Sequence, residues 1–299
     1  MGLANRHRFA MMSAGPVTHW SNVNSTVHRR FAGGVATAAI ALAAVAGLAS
    51  WAPAADPKGA SFNSNDSPDT LQVSGPDALR RIVQTQCMEN WSQHHLPAPC
   101  ERIFLPDLKT GRSGYAVLAD RKGGAHYLLI PTQTMAGLDG AELLDPDTPN
   151  YFAEAWHARD LLKAFVGHEV PRTAVGLAVN TAHARTQDQF HVHIECLRQD
   201  VAESLRQGAE QAADHWAPMM VAGSTYQAMK IMGEGLDGAN PFELVAGLKP
   251  DVRHHMGDYT VVVAGMQFKS GPGFILLTGT GPTGELLLDS GCSIAGAGG

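Results

Sequence analysis

Charge is scarce in this chain. Only 17% of its 299 residues are Asp, Glu, Lys or Arg, and aromatic residues make up 7%. The 44% hydrophobic content excludes a disordered chain and is ample for a buried core. The basic excess that a non-specific nucleic-acid binder needs is missing, because the formal charge is −6. That charge is divided unevenly. Residues 1–55 hold four arginines (Arg6, Arg8, Arg29, Arg30) and no lysine or carboxylate, so the body from Asp56 onward carries −10. No P-loop is present, which removes one of the commonest nucleotide-binding fingerprints. There is no CxxC pair and no solenoid-type repeat.

The N-terminus points to export. Residues 33–55 (GGVATAAIALAAVAGLASWAPAA) are uncharged and follow closely on His28-Arg29-Arg30. A positive flank before an apolar run is an export signal, and Ala52-Pro53-Ala54 resembles a small-residue cleavage site. The run is also long enough to cross a bilayer once, at roughly 20 residues. Either way the arginines hold the N-terminus inside, and the body lies outside. The expected organisation is a basic extension over 1–33, a signal peptide or signal-anchor helix over 34–55 and a polar linker over 56–73. A folded domain over 74–292 and a flexible tail over 293–299 follow. An exported body makes its four cysteines disulfide partners. Of the three possible pairings, Cys87–Cys100 brackets a short polar stretch, which leaves Cys196–Cys292. That second loop is worth about 4–5 kcal/mol in the chain-entropy model.

Within the body, Ser74 is a candidate cap for a helix with Leu79, Ile82 and Val83 on its apolar face. Residues 114–119 and 126–130 read as a hairpin. A helix begins at Thr148-Pro149 with Phe152, Ala155, Trp156, Leu162 and Phe165 toward the core. Strands 174–180 and 189–197 flank the loop 181–188, a helix runs from Asp200 to about Ala213, and late strands cover 259–266 and 274–279. The order is α+β with an antiparallel sheet, the 172–197 hairpin central and helices packed on one face.

The chemistry concentrates in Gln189-Phe-His-Val-His-Ile-Glu195-Cys. A period of two sends Gln189, His191, His193 and Glu195 to one face and Phe190, Val192, Ile194 and Cys196 to the core. Two imidazoles on one strand face suit metal ligation, with Glu195 as a third ligand, or nucleophilic attack on phosphorus. Upstream, Thr181-Ala-His-Ala-Arg-Thr-Gln-Asp188 is rich in donors for phosphate oxygens, and Asn180 ends the preceding strand beside it.

The His-apolar-His-apolar pattern at 191–194, Asn180 and the Thr186-Gln187 loop resemble the histidine-triad superfamily of nucleotide hydrolases and transferases. A wider set resembles the bacterial CDP-diacylglycerol pyrophosphatase family over about residues 78–292. It includes Leu79-Arg-Arg-Ile-Val-Gln-Thr-Gln-Cys87, Tyr127-Leu-Leu-Ile-Pro-Thr132, Leu144-Asp-Pro-Asp-Thr-Pro-Asn-Tyr-Phe152 and Met256-Gly-Asp-Tyr259. The resemblance implies hydrolysis of CDP-diacylglycerol to CMP and phosphatidate at the inner membrane, by a periplasmic domain, with no required metal or cofactor and no nucleic-acid partner. It implies His191 as nucleophile and His193 as the third triad position, with Asn180, Arg185, Thr186, Gln187 and Gln189 around the substrate. Gln189 departs from the histidine of the first triad position. Two other classes are carried as alternatives: a zinc-dependent exported hydrolase using His191, His193 and Glu195, and a non-catalytic periplasmic nucleotide- or lipid-binding protein.

Overall fold

The computed structural model describes residues 74–106, 113–281 and 283–296. The basic extension, the signal or anchor segment and the linker expected over 1–73 lie outside the described residues. Among the described residues no helix is long and apolar enough to cross a membrane.

Among the described residues, ten strands form one antiparallel sheet. In chain order they are β1 Arg102–Phe104, β2 Tyr115–Ala119, β3 Tyr127–Pro131, β4 Val175–Val179, β5 Val192–Leu197, β6 Ala217–Val221, β7 Ser224–Met232, β8 Thr260–Phe268, β9 Gly271–Gly279 and β10 Leu288–Asp289. Their spatial order is β1-β2-β3-β5-β4-β8-β9-β7-β6, with β10 pairing the end of β5. The expected central hairpin is there: β5 and β4 pair in the register Val175↔Cys196 to Ala178↔His193, in the middle of the sheet. The mixed α+β class and the antiparallel pairing agree with the sequence reading.

Alternation along β5 decides what each face receives. Val192, Ile194 and Cys196 join an apolar layer with Val117, Leu129, Leu177, Val263 and Leu276. That layer is covered by α3 (Tyr151–His157), α4 (Leu162–Val166) and α6 (Pro241–Ala246). The Asn150 side chain caps α3 by accepting from the Ala153 N–H, worth about 1 kcal/mol. Tyr151, Phe152, Ala155 and Trp156 then present one buried stripe, as the 3.6-residue period requires. Phe165, expected in that stripe, is 54% exposed, because a 3₁₀ turn over Ala158–Leu161 separates α4 from α3 and breaks the 3.6-residue phase.

The expectation of helices on one face is corrected. The opposite face is also covered, by two separate units. One is the helix Ala78–His94, built of α1 (Ala78–Ile82), a π turn over Val83–Cys87 and α2 (Met88–His94). Its Ala78, Leu79, Ile82 and Val83 pack on Ala116, Leu118, Leu128 and Ile130. The other is α5 (Gln199–Gly208), whose Val201 and Leu205 sit over Ala178, Val262, Ala264 and Ile275. Each buried Leu or Val here contributes about 1.5–3 kcal/mol. Ser74 does not cap the first helix; Asp77 occupies that position without a side-chain hydrogen bond.

Both disulfides form as expected, Cys87–Cys100 and Cys196–Cys292. The second ties α7 (Ser293–Gly296) to β5, with Ala295 buried in the main core. Residues 293–296 are therefore a docked helical turn rather than part of a flexible tail.

Candidate active site

The two helical covers leave a gap on their face of the sheet, and the polar residues lie there. A cavity of about 350 Å³ opens there, beside the first helix. On one side it is apolar, lined by Ala78, Leu79, Ile82, Leu118 and Leu128. On the other it is polar, with His126, Asn180, Thr186, His191, His193 and Glu285. Asp120, Arg121 and Lys122, from the turn joining β2 and β3, stand at its edge.

His193 and Glu195 point to this face because they alternate with the core residues of β5. His126 precedes β3, next to the Tyr127↔Ile194 pair, so the β3–β5 pairing brings it beside Glu195. His126 Nε2 lies 3.0 Å from His193 Nδ1 and 3.1 Å from Glu195 Oε1. All three residues are buried. Asn180 leaves the end of β4, accepts from the Glu285 N–H (3.1 Å) and donates to Glu285 Oε2 (3.2 Å). Its Nδ2 also reaches His193 Nε2 at 3.4 Å.

His191 sits just before β5 and is half-buried on the cavity wall. Its Nδ1 lies 2.8 Å from the Gln189 carbonyl, which can only accept, so Nδ1 carries the proton and the Nε2 lone pair is left for chemistry. Burial first, and then the neighbouring His193, lower the His191 pKa to about 3. Burial likewise lowers His193 and His126, against the pull of Glu285 on the first and Glu195 on the second. Burial raises Glu195 to about 7, opposed by His126 and reinforced by Glu285. For Glu285, burial pushes upward but His193, the Asn180 amide and Lys122 together outweigh it and hold the carboxyl low. The polar wall thus holds neutral imidazoles at pH 7, the form that can act as nucleophile or ligand.

Asn180, Thr186, Gln187, His191 and His193 are brought together around the cavity. Gln187 is occupied by the first helix: its Oε1 accepts from the Leu79 N–H (3.2 Å) and its amide donates to the Gly75 carbonyl (3.1 Å). Two expected residues do not line this cavity but a small recess beside it, which they share with Asn180 and His191. Gln189 is buried under the 131–135 segment, where it donates to the Pro131 and Gln133 carbonyls (3.2 and 2.8 Å). The alternation does not extend back to it, since β5 begins only at Val192. Arg185 turns to Asp139 at 2.6 Å, and its charge is spent there rather than in the cavity. The ligand set His191, His193 and Glu195 does not assemble either. Among the described residues, the histidine that joins His193 and Glu195 is His126.

His126 and Glu285 were missed by sequence reasoning. His126 alternates with Leu128 and Ile130 toward an apolar face, an anomaly that marks it in retrospect. Glu285 carries no such signal in a short 3₁₀ turn (Glu285–Leu287).

The family model for CDP-diacylglycerol pyrophosphatase matches residues 74–296, which is the described body with all four cysteines and the cavity. The match supports hydrolysis of CDP-diacylglycerol to CMP and phosphatidate, and it removes the non-catalytic alternative. A cavity with neutral imidazoles on one wall and apolar side chains on the other suits a lipid-linked pyrophosphate. The chain therefore belongs to the CDP-diacylglycerol pyrophosphatase family and is a hydrolase acting on a phosphoric anhydride.

Proposed function

We propose that the body is a histidine-triad-like pyrophosphatase of bacterial type in which His191 attacks CDP-diacylglycerol at the phosphorus bearing cytidine. The observation that carries this reading is the His191 Nδ1 to Gln189 carbonyl hydrogen bond at 2.8 Å, which leaves Nε2 unprotonated on a residue that lines the cavity. Nε2 forms a bond to phosphorus as the bond to the bridging oxygen breaks, and phosphatidate leaves with that oxygen. Water then displaces the imidazole, giving CMP and neutral His191. Splitting the displacement suits a neutral imidazole, a competent nucleophile and leaving group near pH 7. His193 and Asn180 position the phosphate, and Thr186 and the cations at the turn 120–122 supply charge stabilisation. The apolar wall of the first helix receives the lipid side of the substrate.

The basic flank and uncharged run of residues 28–55 support an inner-membrane tether with the catalytic body in the periplasm. A tether raises the local concentration of a lipid substrate. Protease added to spheroplasts should then digest the body, and full protection would place it inside.

Hydrolysis in ¹⁸O-labelled water tests the bond that is cut. The label should appear in CMP and not in phosphatidate. Label in phosphatidate would move the attack to the other phosphorus and remove His191 from the proposed role.

A further inference from the structure

Three ligand-type atoms meet on the floor of the cavity. His126 Nε2, His193 Nδ1 and Glu195 Oε1 are separated by 3.0, 3.1 and 3.7 Å. Their protons can be counted. Asn180 has a fixed orientation, because its Oδ1 accepts from the Glu285 N–H. Its Nδ2 must then donate, so His193 Nε2 at 3.4 Å accepts. The single proton of neutral His193 is thereby on Nδ1 and points to His126 Nε2, which also accepts. Glu195 Oε1 lies 3.1 Å from that same accepting nitrogen, is buried, and has no hydrogen-bond donor. Lone pairs converge here, and either a proton carried by Glu195 or a bound cation satisfies them.

We propose that this floor is a divalent-cation site of the zinc class, held by His126 Nε2, His193 Nδ1 and Glu195 Oε1. The three separations put a common centre about 1.9 Å from each atom, and a small lift out of their plane gives the 2.0–2.2 Å of zinc bound to imidazole and carboxylate. A cation there replaces the proton between the two imidazoles and satisfies Glu195 Oε1. The remaining proton of His193 then sits on Nε2, so the Asn180 amide gives up its bond to that nitrogen and Glu285 Oε2, 3.7 Å away, becomes the outer-shell carboxylate partner. Two of the three ligand residues, His126 and His193, line the cavity, and Glu195 is buried without lining it, so a fourth position open to the substrate is part of the proposal. Three protein ligands and one open position define a site that takes water or a phosphate oxygen. This goes beyond the histidine-nucleophile reading, since His191 supplies no ligand.

The test is zinc content of the full chain, stripped with chelator, exposed to zinc and desalted, read by mass spectrometry and by the thermal midpoint. The wild type should hold one zinc per chain and melt higher with it. Glu195→Gln and His126→Gln should lose the stoichiometric zinc and the shift, and Glu285→Gln should weaken binding about 10–100-fold. His191→Ala should keep both while losing hydrolysis, so failure of the cation site and failure of the nucleophile register separately. A folded wild type that holds no zinc overturns the proposal. So does equal binding by Glu195→Gln and His126→Gln, which would put the metal on exposed pairs such as His94-His95 or His254-His255. Circular dichroism establishes that each variant is folded.

Discussion

The two faces of β5 are built from adjacent residues and differ in almost everything. Val192, Ile194 and Cys196 enter a sealed layer under α3, α4 and α6. His193 and Glu195 point the other way, where the first helix and α5 cover separate patches and a cavity opens beside the first helix. Both faces are buried, so the contrast is not one of exposure. It lies in whether the cover is continuous. Where it is, side chains only need to fill space. Where it is interrupted, desolvation acts on ionisable groups without excluding a ligand, and that shifts imidazoles and carboxylates toward reactive forms.

Substitutions on the two faces should therefore fail in different ways. The largest effect is expected on the cavity side, where His191→Ala should lower kcat by about 10⁴-fold or more, the scale of removing a nucleophile, with an unchanged melting midpoint. On the sealed side the loss should be of stability. Replacing Cys196 and Cys292 by serine removes a clip across 96 residues and should cost about 4–5 kcal/mol in chemical denaturation, if chain entropy sets its value. Ile194→Ala, fully buried, should cost about 2–5 kcal/mol while the residual folded enzyme keeps its KM. Asn180→Ala returns to the cavity and should lower kcat about 10²-fold, since it frees both His193 and Glu285.

The smallest effect is on pH dependence. Burial, His193 and His126 lower the His191 pKa, and Glu285 and the Gln189 carbonyl oppose them. A lowered imidazole pKa means that His191 stays neutral as the pH falls through 6.5. The acid limb of kcat/KM should lie below that of a free imidazole, and a limb near 6.5 would show that the cavity does not desolvate His191.

Much of this contrast is legible in the sequence, and the exceptions have physical causes. The 192–197 alternation is local, so a period of two finds both faces of β5. The hairpin at 115–131 and the capped α3 are local too. His126 is not, because it reaches His193 only through the β3–β5 pairing, 67 residues apart. Glu285 returns across 105 residues to Asn180. Gln189 fails for another reason. The pattern continues into it, but strand pairing stops at Val192, and its amide serves the backbone of 131–135 instead. Arg185 is drawn off by Asp139, a partner that no spacing announces.

The central claim is that the interrupted face works through a covalent bond to His191. Rapid quenching with CDP-diacylglycerol labelled at the cytidylyl phosphorus tests it directly. The account predicts an acid-labile, base-stable adduct that forms within the first turnover, maps to His191 and is absent from His191→Ala. Full turnover with no adduct on His191, or unimpaired hydrolysis by His191→Ala, would contradict it.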